Sequence, residues 1–337
     1  MSRLYQLDHL LFPVETHPVF VEIGDLTQRY RVRATGKKAI VNMANKRVLN
    51  LVGPSYRMVT NKEALDWAYQ CCKAVFPETQ QDEWEVSGVN APSTFGYCHI
   101  DLTHKTNALD FEYLMVGERP EVPEVFGPFI RVTNSYNGQR ALNFNIGFHR
   151  KICKNGMVGP DVIVSFKFTH NKSDIGEAPK FDFERSRLDE MKKSFLEYFD
   201  VLRNFPVNKS QFSTLARAVL LLKQPESPDD QTDEDPKWVA LQQHLNEMCE
   251  RYATNLGENG YAVLNVITEF ASQPLDNLYV RRDVHSLQKL TGEWLINFSE
   301  RCQQTSFSLD EYLDELNNVT PTNQVESSEM VQGREVG

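Results

Sequence analysis

Long apolar runs are missing from this 337-residue chain. None approaches the roughly 20 residues that a membrane span needs, and residues 1–8 hold no basic stretch feeding an apolar one. No membrane segment or export signal is expected, which makes the cytoplasm the expected compartment. With 17 Gly and 16 Pro, collagen-like and low-complexity classes are excluded, and no segment repeats. Six cysteines, Cys71, Cys72, Cys98, Cys153, Cys249 and Cys302, match neither a disulfide framework nor a zinc spacing, and read as reduced, mostly buried thiols. Also lacking are a phosphate-cradling Walker loop, a G-x-S-x-G elbow, an H-E-x-x-H helix, a G-x-G-x-x-G turn after a strand, and the carboxylate clusters of a metal-dependent hydrolase. These absences point away from an enzyme and from any cofactor.

Two constellations come close to chemistry and fail. His99 and Asp101 share one face of a strand, with His104 nearby, but no second carboxylate or His pair accompanies them, so they read as surface histidines and no metal is expected. Cys153 and His149 lack the third group that would orient a thiol and imidazole pair.

What is present is an uneven distribution of charge. Residues 1–172 hold 20 basic against 17 acidic side chains, a net +3, whereas residues 173–337 hold 16 against 29, a net −13. Partners feel such local fields more than the whole-chain value of −10. Residues 226–235 are acidic, bracketed by proline and without a large apolar residue, which predicts an exposed linker open to protease. The polar end, 318–337, has no apolar stripe and is expected to be disordered.

Hydrophobic periodicity separates the two halves. Strand-like runs occupy 19–23, 30–34, 39–43, 47–52, 95–102, 108–116, 129–135, 142–148 and 162–169. One amphipathic helix over 62–76, N-capped by Asn61, interrupts them. From 181 onward the period is helical, with stripes at Leu188, Met191, Phe195, Tyr198, Leu202 and at Phe212, Leu215, Ala216, Val219, Leu222, and with further helices over 238–252, 261–270, 284–302 and 309–316. The expected fold is α+β, an antiparallel sheet with a packed helix followed by a helical C-terminal region. Its divisions are a core at 1–175, a helical extension at 176–223, the linker at 224–236, a helical region at 237–317 and the tail.

The most informative segment is the hairpin over 129–148, whose strands flank an Asn-Gly turn signal. A two-residue loop would set Val132 against Asn143, mixing polar and apolar side chains. A three-residue loop, Tyr136, Asn137 and Gly138, pairs Val132 with Leu142 and Ile130 with Phe144, and places Gly138 at positive φ. The three-residue loop is the expected one: it makes Ile130, Val132, Leu142, Phe144 and Ile146 an apolar face, opposite a polar one carrying Arg131, Thr133, Ala141, Asn143 and Asn145. The cations Arg131, Arg140, Arg150, Lys151 and Lys154 surround this hairpin, with Tyr136 at its tip, a mix of charge and stacking ring suited to single-stranded nucleic acid. The plain alternative is a solvated sheet face with an ordinary basic loop.

Two stretches carry a family resemblance: Gly53-Pro54-Ser55-Tyr56-Arg57-Met58-Val59-Thr60-Asn61-Lys62-Glu63-Ala64, and Arg131-Val132-Thr133-Asn134-Ser135-Tyr136-Asn137-Gly138 leading to Lys151-Ile152-Cys153-Lys154-Asn155-Gly156-Met157. Over about residues 40–220 the chain resembles the phage/plasmid-like protein family, a domain of unknown function found in phages, prophages and conjugative plasmids. Met58-Val59-Thr60-Asn61 stands where that family has Pro-Val-Gln-Asn, Tyr136-Asn137 where it has His-Asp, and Gly156-Met157 where it has Thr-Leu. The lost His and Asp argue against catalysis at the turn. The resemblance implies a mobile-element setting in a bacterial host, where genes for recombination, single-strand handling and evasion of host defence cluster. The expected function is binding of single-stranded DNA as a recombination or annealing accessory, with the acidic half serving protein partners or a homo-oligomer. The competing expectation is a non-enzymatic acidic protein that inhibits a host defence or nucleic-acid-binding factor.

Overall fold

The computed structural model describes residues 2–4, 6–24, 28–105, 126–150, 155–156, 164–223 and 235–318. In chain order the strands and helices are β1 (Ser2–Leu4), β2 (Val14–Gly24), β3 (Arg29–Asn42), β4 (Arg47–Val52), α1 (Asn61–Val75), β5 (Trp84–Pro92), β6 (Tyr97–His104), β7 (Phe126–Ser135), β8 (Leu142–Arg150), β9 (Asn155–Gly156) and β10 (Val164–Phe168). Helices follow: α2 (Lys172–Ile175), α3 (Arg185–Asn204), α4 (Lys209–Val219), α5 (Pro236–Leu256), α6 (Gly260–Ser272), α7 (Val284–Cys302) and α8 (Leu309–Asn318). The fold is α+β, with antiparallel sheets first and helices in the C-terminal half. The strand expected at 108–116, the acidic run up to 234 and the tail from 319 lie outside the described residues.

The described residues through Glu197, together with Arg281–Gly292, make one compact unit; Tyr198–Val280 and the described residues from Glu293 make the other. The divisions drawn from the sequence at 175, 223 and 236 therefore fall inside units. In the first unit a seven-stranded sheet runs β1-β5-β6-β7-β8-β10, with β9 beside β8, and a three-stranded sheet runs β2-β3-β4. The runs at 30–34 and 39–43 are one continuous strand, β3. Strand β5 was not anticipated, because Gly88 and a bulge between Val86 and Gly88 break its alternation.

One face of the large sheet packs on α1. Ile130, Val132, Leu142, Phe144 and Ile146 are all buried there, as are Ala64, Leu65, Trp67, Ala68, Cys71, Cys72 and Val75 of the helix. Each large apolar side chain removed from water in this way contributes about 1.5–3 kcal/mol before entropy is charged against it. The faces are as expected, but the register is not. Val132 opposes Phe144 and Ile130 opposes Ile146, a shift of two residues from the pairing predicted. A two-residue shift leaves every side chain on the same face, so the apolar pattern cannot detect it. The turn decides: Tyr136 and Asn137 donate their backbone N–H groups to Gly96 O, at 2.7 and 3.0 Å, instead of pairing with β8.

Helix α1 also begins one residue earlier than expected. Thr60 is the N-cap, accepting from Glu63 N at 3.1 Å, while the Glu63 carboxylate accepts from Thr60 N at 2.8 Å. This reciprocal box satisfies two orphan donors and frees the Asn61 side chain for another use. At the other end of the acidic run, Asp235 and Pro236, read as linker, are the N-cap and first residue of α5. Helix α6, buried from Gly260 to Ala271 except at Glu269, is the central helix of the second unit.

Candidate nucleic-acid interface

The structure divides the basic surface drawn around Arg131, Tyr136, Arg140, Arg150, Lys151 and Lys154. Arg131 is only 3% exposed: Nε and Nη2 donate to the two carboxylate oxygens of Asp101 at 2.6 Å, and Nη1 donates to Gln288 Oε1 at 2.5 Å. Tyr136 is 1% exposed, its hydroxyl accepting from the Asn61 N–H at 2.9 Å. Neither can meet a phosphate or a base at the surface. Arg140 is half-buried, over the Tyr97 ring at 4.6 Å and 3.8 Å from Asp283 Oδ2. The Arg150 side chain, Lys151 and Lys154 lie outside the described residues. Asn137 and Gly138 occupy the turn, with Gly138 at φ 71°.

The two stretches that carry the family resemblance bind each other. Asn61 Nδ2 donates to Leu10 O at 2.9 Å, and its Oδ1 accepts from Asn134 Nδ2 at 2.8 Å and from Cys98 Sγ at 3.2 Å. Asn134 Nδ2 also reaches Val59 O at 2.9 Å, and Tyr56 donates its hydroxyl to Ser135 O at 2.5 Å. Gly96 lies where these stretches meet, and a Cβ there would stand 2.7 Å from Asn137 Nδ2, so that side chain would have to shift. With Asn61, Asn134 and Tyr136 all buried, this part of the signature is an internal clasp joining α1 to β7.

The sheet face opposite α1 is polar and partly covered. His99, which the sequence suggested was at the surface, is buried, accepting or donating at 2.8 Å with Thr133 Oγ1 and stacked 4.3 Å from His285. Tyr97 donates to Asp283 Oδ2 at 2.9 Å. Burial, then the neighbouring His285 and the Arg131 and Arg140 guanidiniums, hold His99 well below its ordinary value; burial and the same arginines push His285 down to about 3. Both rings are therefore neutral. Burial works to raise Asp283, but hydrogen bonds from Ser286 and Tyr97 and the charge of Arg140 leave it net below the ordinary carboxylate range. His104 is buried too, on the other face, edge-on to Trp84, so alternation along β6 separates it from His99 and Asp101. Among the described residues no group of three metal-ligating side chains converges. Sequence reasoning missed Tyr97, Asp283, His285 and Gln288, since nothing local in the chain ties 281–292 to a hairpin some 150 residues earlier.

Exposed positive charge is found instead on the ribbon made by the outer parts of β2 and β3. Phe20 opposes Arg33, Glu22 opposes Arg31 and Gly24 opposes Arg29, which puts three arginines on one face. Arg29, Arg31 and Arg33 are all exposed, and the Arg31 guanidinium lies 4.3 Å from the centre of the Phe20 ring. The signal was legible as Arg29-Tyr30-Arg31-Val32-Arg33: alternate residues of a strand share a face, so an alternating arginine run is a one-sided ladder.

Comparison with known families adds one match. The model of a domain of unknown function (DUF932) matches residues 103–290. The chain belongs to the DUF932 family. The DUF932 match takes in the β7–β8 hairpin and the segment up to residue 290 that meets Arg131, and leaves the arginine ribbon outside. No curated protein and no solved structure matches the chain.

Proposed function

We propose that this DUF932 protein binds single-stranded nucleic acid through the arginine face of the β2–β3 ribbon, as a non-enzymatic recombination or annealing accessory of a phage or plasmid, in the cytoplasm of its host. The observation that carries the reading is the exposed ladder Arg29, Arg31 and Arg33 with Phe20 beside it. Successive arginines stand two strand residues apart, about 6.8 Å, a spacing on the scale of successive phosphates in an extended single strand. Cations that follow a backbone, with a ring to stack on a base, are the recurring elements of single-strand recognition. The resemblance to phage/plasmid-like proteins supports the mobile-element setting. A net charge of −10 opposes binding at long range, so the ribbon acts locally, within a Debye length of about 8 Å at physiological salt.

Fluorescence anisotropy with a labelled single-stranded oligonucleotide at low salt tests this reading against the same sequence as a duplex. Tighter binding to the single strand, weakened by Arg31→Ala/Arg33→Ala and unchanged by Arg140→Ala in the hairpin, is expected. The competing function, an acidic protein that occupies a host nucleic-acid-binding factor, draws on the net −13 of residues 173–337 and predicts no binding to either oligonucleotide.

A further inference from the structure

The chain holds three Asn-Gly pairs, at 137–138, 155–156 and 259–260. In such a pair the asparagine side chain is open to attack by the next backbone nitrogen, because glycine has no Cβ to crowd the approach. Whether the attack occurs in a folded protein depends on what holds that nitrogen and the side-chain amide. The Asn155 side chain lies outside the described residues; the other two pairs are held in opposite ways.

Asn259 caps α6. Its Oδ1 accepts from Ala262 N at 2.9 Å, its Nδ2 donates to Leu256 O at 2.9 Å, and the N–H of the buried Gly260 donates to Phe205 O at 3.0 Å. The nitrogen that would attack is therefore committed. At the hairpin turn Gly138 is exposed, and its N–H has no hydrogen-bond partner among the described residues. Asn137 Oδ1 accepts from Ser135 Oγ at 2.8 Å and from Gln139 N at 3.1 Å, while Nδ2 donates to Gln139 Oε1 at 2.8 Å. Both donors sit on the oxygen that gains negative charge when Cγ is attacked, so their bonds strengthen through the step instead of breaking.

We propose that Asn137 is a self-modification site, where the Gly138 nitrogen attacks the Asn137 side chain and converts it through a cyclic imide to aspartate and isoaspartate. Gly138 N gives its proton to solvent and bonds to Asn137 Cγ. The Cγ–Nδ2 bond breaks, and Nδ2 takes a proton from solvent and leaves as ammonia. Water then opens the ring: breaking the bond from nitrogen to Cγ gives aspartate, and breaking the bond from nitrogen to the Asn137 carbonyl carbon gives isoaspartate. Aspartate sets a carboxylate oxygen against Gln139 Oε1 in place of a donor. Isoaspartate lengthens the main chain where Asn137 N meets Gly96 O at 3.0 Å, and frees the carbonyl that accepts from Asn50 Nδ2 at 2.7 Å. The modification loosens the turn beside the clasp as the protein ages, and is independent of nucleic-acid binding.

To test this, the full chain is incubated for weeks at mildly alkaline pH, folded and in urea, and its tryptic peptides are sequenced by mass spectrometry. Peptide 132–140 carries Asn137 and peptide 252–281 carries Asn259. In the folded protein Asn137 converts at least about tenfold faster than Asn259, whose reaction must first break a backbone hydrogen bond and a helix cap. In urea the two convert at similar rates. Asn137→Asp, which carries the side chain of one product, melts below wild type. Conversion of Asn259 as fast as Asn137 in the folded protein, or conversion of Asn137 only in urea, would overturn the proposal. An Asn137→Asp variant that melts with wild type would overturn the loosening assigned to the modification.

Discussion

Arg131 shows how far one side chain's role depends on what lies above it. By alternation it belongs to the polar face of β7, and that much was legible. Whether a polar face is wet depends on partners elsewhere in the chain, and here Asp101 and Gln288 take up the guanidinium. Removing one member of a buried, hydrogen-bonded ion pair strands the other, so Arg131→Ala should lower stability by about 3 kcal/mol or more, read as a fall in the urea midpoint. A midpoint equal to wild type would mean that Arg131 is a surface cation after all. Gly138 makes the complementary case, because its need was readable from Asn-Gly. A Cβ there would meet only the Tyr56 ring at 3.8 Å, an ordinary contact, so the penalty is conformational: φ 71° is strained for a β-branched residue. Gly138→Val should cost about 1 kcal/mol or more, and an unchanged melting temperature would contradict the turn geometry.

At the scale of elements, period and caps carried the reading as far as local physics reaches. Strand faces and the stripes of α3 and α4 follow from spacing; the register of β7 on β8 does not, because it is settled by Gly96 across the sheet. The polar cover at 281–292 was illegible for the same reason. It has a measurable signature, however. His285 is held down to about 3 by burial and by Arg131 and Arg140, against an ordinary 6.5, so the unfolded chain takes up its proton first as pH falls. Stability from this ring is complete above about 6.5 and declines toward about 3, by up to about 1.4 kcal/mol per pH unit. His285→Gln cannot take up that proton and should flatten the dependence of melting temperature on pH between 7 and 4. Parallel profiles for variant and wild type would show that the ring is solvated.

At the scale of the whole molecule the charge is uneven, net +3 over residues 1–172 and net −13 over the remainder, and among the described residues three exposed arginines, Arg29, Arg31 and Arg33, share one face of a ribbon. The asymmetry was legible from counting, and so was the arginine alternation, whereas the hairpin at 129–148 drew attention because its charges are dense in sequence. Density in sequence is not exposure, and burial sorts Arg131 from Arg31. The measurement that tests this account most directly is the salt dependence of single-stranded DNA binding by wild type and by Arg29→Ala/Arg31→Ala/Arg33→Ala. Three phosphate contacts on a single strand give a slope of log K against log salt of about −2, or about twentyfold weaker binding between 50 and 200 mM salt. The account predicts that slope for wild type and its loss, with at least a tenfold fall in low-salt affinity, in the triple variant. Equal affinities and equal slopes for the two proteins, or no binding by wild type at low salt, would contradict it.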